Sequence, residues 1–149
     1  MVLITRLDCL DQDNRKRVKK MIDNLGNRMK KYESNIQLDT TFPIYARIDG
    51  KAFSKLTKNL SRPYCEDFHN CMIETTKYLV DETNAIIGYT QSDEISLGWY
   101  NFDPNSQIWF NGKIQKTVSV LSGMASVKFN ERISKKLPSL CEHLPVFDA

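Results

Sequence analysis

Apolar residues recur along this chain with two different periods. From about Asp11 to Glu33, Val18, Ile22, Leu25 and Met29 fall three and four residues apart, the spacing of one helix face, with Gly26 weakening the middle. From Phe42 to Asp49 the period drops to two. Ile44, Ala46 and Ile48 share one side, which predicts a buried strand. Gly50 breaks that strand and Arg62-Pro63 closes a loop. Helical spacing returns from about Tyr64 to Asp81 through Phe68, Met72, Thr75, Leu79 and Val80. Ala85 to Ser92 reads as a second strand. Ile95, Leu97 and Trp99, with Ser96 and Gly98 between them, form a third. Asp103-Pro104-Asn105-Ser106 is a turn. A long helix from about Gly112 to Lys136 carries Val118, Leu121, Ala125 and Phe129, and Val146-Phe147 begins a fourth strand.

After the first helix the order is β-α-β-β-α-β, the split β-α-β or ferredoxin-like arrangement. The predicted class is therefore α+β, an antiparallel sheet with helices on one face and an extra helix at the amino terminus. Residues 1–40 form that helical extension and residues 41–149 the sheet domain. In this topology the third strand lies between the first and second, antiparallel to both. The end of strand one and the turn joining strands two and three then meet at one edge. Asp49 occupies the first place and Asp93-Glu94 the second.

Composition narrows the setting. The 149 residues are 41% hydrophobic and 26% charged, ordinary for one globular domain. No apolar run approaches the roughly 20 residues that span a bilayer, and Met1-Val2-Leu3-Ile4 is too short for a signal-peptide core. A cytoplasmic protein with no membrane partner is expected. Cys9, Cys65, Cys71 and Cys141 show no metal-ligand spacing and read as reduced thiols. The net charge of +3 is only weakly basic. Its basic run Arg15, Lys16, Arg17, Lys19 and Lys20 is either a solvated helix face or a nucleic-acid contact. His69 and His143 have no nucleophile at readable spacing, and His69 reads as a packing residue.

The chemistry concentrates at the carboxylate edge. Paired carboxylates suit Mg²⁺, a hard cation that takes oxygen ligands and shares substrate phosphates. Two such ions would serve an in-line phosphoryl transfer. Taken alone, Asp49-Gly50 is also a common turn dipeptide, and Asp93-Glu94 also fits a solvated hairpin tip. Gly50, lacking a side chain, would let a backbone carbonyl or a triphosphate come close. Lys113 and Lys116 share a face at the start of the long helix, where free amides and the helix dipole favour phosphate, with Thr117 and Ser119 as hydroxyl donors. Arg47, within strand one, needs a partner, either a carboxylate such as Asp93 or a triphosphate.

These segments together resemble the tRNA(His) guanylyltransferase family of 3′-to-5′ nucleotide-adding enzymes, nearer its bacterial and phage-type members. The resemblance rests on Leu25–Glu33, Arg47–Phe53, Arg62-Pro63, Gln91–Glu94, Lys113–Ser119 and Phe147–Ala149, in order. It implies a polymerase-type palm, in which Asp49 and Asp93 bind two Mg²⁺ ions with help from the Gly50 carbonyl, and Glu94 supports them. Lys113 and Lys116 would hold a triphosphate, with Arg47, Arg62, Ser92 and Ser119 as further contacts. The backbone of Lys51, Ala52, Phe53 and Ser54 would cover the phosphates. GTP and ATP are the implied substrates, tRNA the implied partner, and a homo-oligomer the implied assembly.

Ser54 stands where the family usually has histidine, and Cys65 where it has an aspartate that helps recognise the base. The sequence stops at Ala149, before the family's carboxy-terminal helices, so impaired tRNA processing is expected. Two other readings share the same residues: a palm that binds nucleotide and metal without extending RNA, and a GGDEF-like nucleotide cyclase. The absence of a Gly-Gly-Asp/Glu-Glu-Phe run disfavours the cyclase.

Overall fold

A computed structural model of the chain describes residues 12–103 and 106–149 and divides it into two units, Met1–Ser34 and Asn35–Ala149. Cys9, Pro104, Asn105 and the side chains of Arg15, Val18, Lys19 and Ile22 lie outside the described residues. The first unit contains helix α1, Gln12–Lys30, with Asp13 in its first turn and Arg28 and Lys30 in its last. That polarity complements the helix dipole. Leu25 and Met29, expected on an apolar stripe, are exposed.

In the second unit, strand β1 (Ile44–Gly50) alternates as its sequence predicts: Ile44 and Ile48 are buried, Tyr45 and Arg47 exposed. A short helix α2 (Phe53–Leu56) follows, then helix α3 (Glu66–Thr83), strand β2 (Ile87–Gln91) and strand β3 (Glu94–Trp99). A 3₁₀ turn, Trp109–Gly112, leads into helix α4 (Ile114–Lys136), a short helix α5 (Pro138–Cys141) and strand β4 (Phe147–Asp148). The sheet order is β2-β3-β1-β4, with antiparallel neighbours throughout. This is the expected ferredoxin-like arrangement.

One sheet face is apolar and one is not. Ile48 from β1 and Ile95 and Leu97 from β3 are fully buried against Met72 and Leu79 of α3 and Leu121, Ala125 and Phe129 of α4. Each of the larger of these side chains contributes about 1.5–3 kcal/mol of burial, so the helices belong on this face. α3 begins two residues later than the spacing suggests, with Glu66 and Asp67 in its first turn, and ends at Asn84 in the left-handed region, φ 52°. Its buried Thr75, Thr76 and Thr83 hydroxyls donate to carbonyls one turn earlier, at Cys71, Met72 and Leu79. Polar side chains can therefore occupy the helix-packing face without unpaired groups. Burial pushes the Cys71 thiol up to about 11, so it stays protonated; Cys65 and Cys141 are free thiols too. Among the described residues no helix is long and apolar enough to cross a membrane.

Charges tie α3 to α4. Glu74 accepts from Lys136 Nζ at 2.7 Å and forms an ion pair with Arg132, whose Nε lies 3.1 Å away. Within α4, Lys128 and Lys135 donate to Glu131 and hold its carboxyl down at about 2, against an ordinary 4.5. A depressed carboxylate contributes stability that is present above the unfolded value and is lost as pH falls through the folded one. The Glu131→Gln variant should therefore lose thermal stability less steeply than the unmodified chain between about pH 4.5 and pH 2.5. Melting curves across that window, showing equal slopes, would rule these ion pairs out as a source of the dependence.

Candidate active site

Register sets out the site as rows on the open face of the sheet. Asp49 on β1 stands opposite Glu94 on β3 and Asp148 on β4. Directly paired residues of antiparallel strands project to the same face, with Cβ atoms about 4.5–5.5 Å apart. One strand row therefore carries three carboxylates. Asp93 sits beside it in the two-residue β2–β3 turn, where its carbonyl accepts the Gly50 amide at 3.2 Å. Strand one and the hairpin tip are thus joined directly, as the topology demands. Ser92 precedes it with φ 56° and donates its hydroxyl to Asp93 Oδ1 at 3.0 Å. A left-handed non-glycine residue costs on the order of 1–3 kcal/mol, and such strain concentrates where a side chain must be aimed.

Arg47 has the carboxylate partner its place in the strand calls for, though the carboxylate is Glu94. Its guanidinium bonds Glu94 Oε1 at 2.6 Å and lies 3.9 Å from Asp49 Oδ1; Asp93 is not its partner. The side chain is 64% exposed. Glu94 is the partner because Asp93 belongs to the turn, whereas Glu94 and Asp49 lie on the same open face one pleat along from Arg47.

Asp148 is the residue that sequence reasoning left without a role. Its position beside Phe147 was noted, but a two-residue strand gives no periodic signal from which to read its register.

Two clefts flank this edge. One, of about 790 Å³, is lined by Arg62, Tyr64, Cys65, Phe68, His69 and Ser92 among others, so Arg62 and Ser92 are brought together. His69 is in ring contact with Tyr64 at 5.1 Å, at the wall of this cleft. The other, about 250 Å³, includes Lys51, Ala52, Lys55 and His143. Ala52 has φ 59° and opens α2, while the Lys51 amide donates to the Val146 carbonyl at 3.0 Å. Phe53 points inward, fully buried, and Ser54 is exposed.

Lys113 and Lys116 stand at the start of α4. Helix α4 meets β4 at Ser126, whose hydroxyl accepts the Phe147 amide at 2.9 Å. Lys116 is ten residues earlier, about 15 Å along the axis. Its start is held instead by residues 36–38: Leu38 N donates to Gly112 O, Ile114 N to Ile36 O, and Gln37 pairs with Lys113. Phe110, Asn111 and Gly112 are consecutive left-handed residues, φ 51°, 52° and 70°, and Lys116 Nζ lies 4.4 Å from the Phe110 ring centroid. Ser119 donates to the Lys116 carbonyl. The lysines thus lie about 15 Å along α4 from the point where that helix meets β4, the strand that carries Asp148.

Among the described residues no three Asp, Glu, His or Cys side chains converge tightly enough to hold an ion unaided. The donor set nonetheless fits Mg²⁺, which needs only one or two carboxylates and keeps sites for water and phosphate.

The profile of the family described as tRNAHis guanylyltransferase (Thg1) matches residues 26–149, most of the chain. The chain belongs to this family. Two solved structures of a bacterial tRNA(His) guanylyltransferase-like protein, in complex with ATP and with GTP, superpose with a TM-score of 0.76 at 39% and 40% identity. The match covers 83% of this chain and 55% and 61% of those chains. The Saccharomyces cerevisiae tRNA(His) guanylyltransferase shares the fold, with a TM-score of 0.69 at 24% identity over 80% of this chain and 54% of its own. An uncharacterized protein, R259, of Acanthamoeba polyphaga mimivirus is 32% identical over 115 residues, 71% of this chain and 39% of the viral protein. The chain thus spans roughly half the length of these guanylyltransferase-family relatives, and less of the viral one.

Proposed function

We propose that residues 41–149 form the catalytic palm of a Mg²⁺-dependent nucleotidyltransferase that adds a nucleotide to the 5′ end of tRNA. The observation that carries this reading is the carboxylate row, Glu94–Asp49–Asp148, joined to the Asp93 turn through the Gly50 amide. The resemblance of 83% of the chain to ATP- and GTP-complexed bacterial relatives supports it.

In the proposed reaction the 3′-hydroxyl of an incoming nucleotide attacks an activated 5′ phosphate of the RNA. A phosphorus–oxygen bond forms there and the bond to the leaving phosphate group breaks. Asp49 and Asp93, with the Gly50 carbonyl, would hold two Mg²⁺ ions, which supply charge neutralisation for the transferring phosphoryl group. Ser92 aims Asp93 by its hydrogen bond. Arg47 neutralises Glu94 when no substrate is bound and offers a cation to phosphate once the two separate. Arg62 and Ser92 share a cleft that accommodates a nucleotide, and Cys65 on its wall replaces an acidic base-recognition group with a thiol. GTP and ATP are the proposed substrates. Lys113 and Lys116, at the start of α4, would bind phosphate groups there.

The test is incubation with Mg²⁺, labelled GTP or ATP and a tRNA lacking its first nucleotide. Label at the RNA 5′ end is the expected result. Mg²⁺-dependent nucleotide binding without incorporation would favour a palm that binds but does not transfer. A cyclic or dinucleotide product made without RNA would move the chain to a cyclase. The Lys113→Ala/Lys116→Ala pair should weaken RNA binding and flatten its salt dependence by about 1–1.5 in the log–log slope, at roughly 0.7 per phosphate contact to a single strand. A salt series with an unchanged slope would exclude both lysines from RNA contact.

A further inference from the structure

The two faces of the sheet differ in chemistry. The helix-covered face carries Ile44, Ile48, Ile95, Leu97 and Trp99, with Thr90 on β2 the polar exception. The open face is mixed, and register orders it into three rows. The first crosses Gln91, Glu94 and Asp49. The second crosses Tyr89, Ser96 and Arg47, and the third Ile87, Gly98 and Tyr45. Along β1 alone, the open face reads carboxylate, guanidinium, phenol, at steps of two residues or roughly 6.8 Å.

The phenols are displayed rather than packed. Tyr45 is 71% exposed and Tyr89 58%. Gly98 explains how Tyr45 lies. A Cβ at that position would come within 2.9 Å of Tyr45 Cε1 and 2.7 Å of Ile87 Cγ2, so both side chains settle over the bare backbone of β3. The Tyr45 ring therefore rests against the sheet while most of its surface stays open to solvent. Tyr89 is steadied by its hydroxyl, which donates to Gln91 Oε1 at 2.8 Å. Half-buried Ser96 and buried Gly98 keep the centre of the face low between the rings.

We propose that this open sheet face is the track for the RNA end, with bases stacking on Tyr45 and Tyr89 and a phosphate taken by Arg47. The inference rests on the nucleotidyltransferase reading above and names where its RNA lies. Continuity with the carboxylate row is the first support: a strand entering at Asp49 meets Arg47 and then Tyr45 without leaving β1. Chemistry is the second. A four-stranded sheet with exposed aromatic rings is a platform for unpaired bases, whose π-faces stack irrespective of sequence, while a cation tracks the backbone. A face meant for a protein helix would resemble the opposite side of this same sheet and would not interleave charges with its rings.

The experiment measures fluorescence anisotropy of a dye-labelled single-stranded oligoribonucleotide carrying a 5′-triphosphate. It compares the unmodified chain with Tyr45→Ala, Tyr89→Ala, Tyr45→Phe and Tyr89→Phe. Each alanine variant should bind the RNA about tenfold more weakly, within the range for loss of one base–aromatic stack. The phenylalanine variants should bind as tightly as the unmodified chain. Mg²⁺-dependent ATP affinity and the melting temperature should be unchanged in all four. Unchanged RNA affinity in both alanine variants overturns the proposal. So does a fall in sedimentation coefficient on either alanine substitution with RNA affinity tracking assembly, which would assign the face to a second copy of the chain. Asp49→Asn separates this test from the parent reading, because it should abolish transfer while leaving RNA binding in place. If the unmodified chain transfers nothing, the parent reading fails whatever the tyrosines do.

Discussion

Replacing Asp49 with asparagine is expected to lower Mg²⁺-dependent nucleotide transfer by about 10³-fold or more, the scale on which charge stabilisation acts in phosphoryl transfer. The substitution keeps the side chain's size and removes its charge. Its cost to the fold should be small, because the carboxylate is 41% exposed and its nearest cation, Arg47, has a closer partner in Glu94. Surface changes of this kind are usually within about 0.5 kcal/mol. Turnover measured beside a melting curve separates the two effects. Transfer near the unmodified rate would remove Asp49 from the metal site. A large loss of melting temperature would instead make it a structural residue. The expected pattern, lost transfer with retained fold, is what a carboxylate held on the open face of a rigid strand should give.

The carboxylate edge was legible because topology alone creates it. Once β1, β2 and β3 are recognised by their period of two, the antiparallel order forces Asp49 beside the β2–β3 turn, and the structure has Gly50 N bonded to Asp93 O. What pattern reading could not supply was register. Glu94 and not Asp93 faces Arg47 because Asp93 is one residue off the ladder, a distinction that shifts a side chain from strand to turn. Asp148 was missed for the same reason, since β4 is too short to show a period. The place of Lys113 and Lys116 in the fold was hidden differently. Sequence shows that both lie at a helix start. It does not show which end of the sheet that start approaches, because the intervening loop, with its run of left-handed residues at Phe110–Gly112, sets the entry. Leu25 and Met29 had helical spacing and α1 is a helix, yet both are exposed. Periodicity predicts the element; burial needs a partner surface, which spacing does not name.

Gly50 was read as an opening for a ligand, and the structure gives it a second constraint. A Cβ at that position would lie 2.5 Å from the Phe53 ring, so the chain's own phenylalanine already fills that side. Phe53 is fully buried, with ring centroids of Phe147, Phe129 and Phe68 at 4.9, 5.4 and 6.1 Å. It joins the start of α2 to β4 and α4 directly beneath the carboxylate row. The Phe53→Ala variant should lose about 3–5 kcal/mol, the usual cost of emptying a buried aromatic site. At about 2–4 °C per kcal/mol for a chain of this size, the melting temperature should fall by roughly 10 °C. Nucleotide affinity should fall as well, because the ring fixes the backbone of Gly50–Ser54. Leu121→Ala is the comparison: it empties a fully buried site on α4, with an expected cost of about 2–5 kcal/mol, away from that loop. Calorimetry and Mg²⁺-dependent ATP titration on both variants, below their melting temperatures, decide the matter. Phe53→Ala should weaken nucleotide binding several-fold more than Leu121→Ala at comparable loss of stability. Equal affinities would make Phe53 a core residue only, and the phosphate loop would then have to be held by the Lys51–Val146 backbone bond.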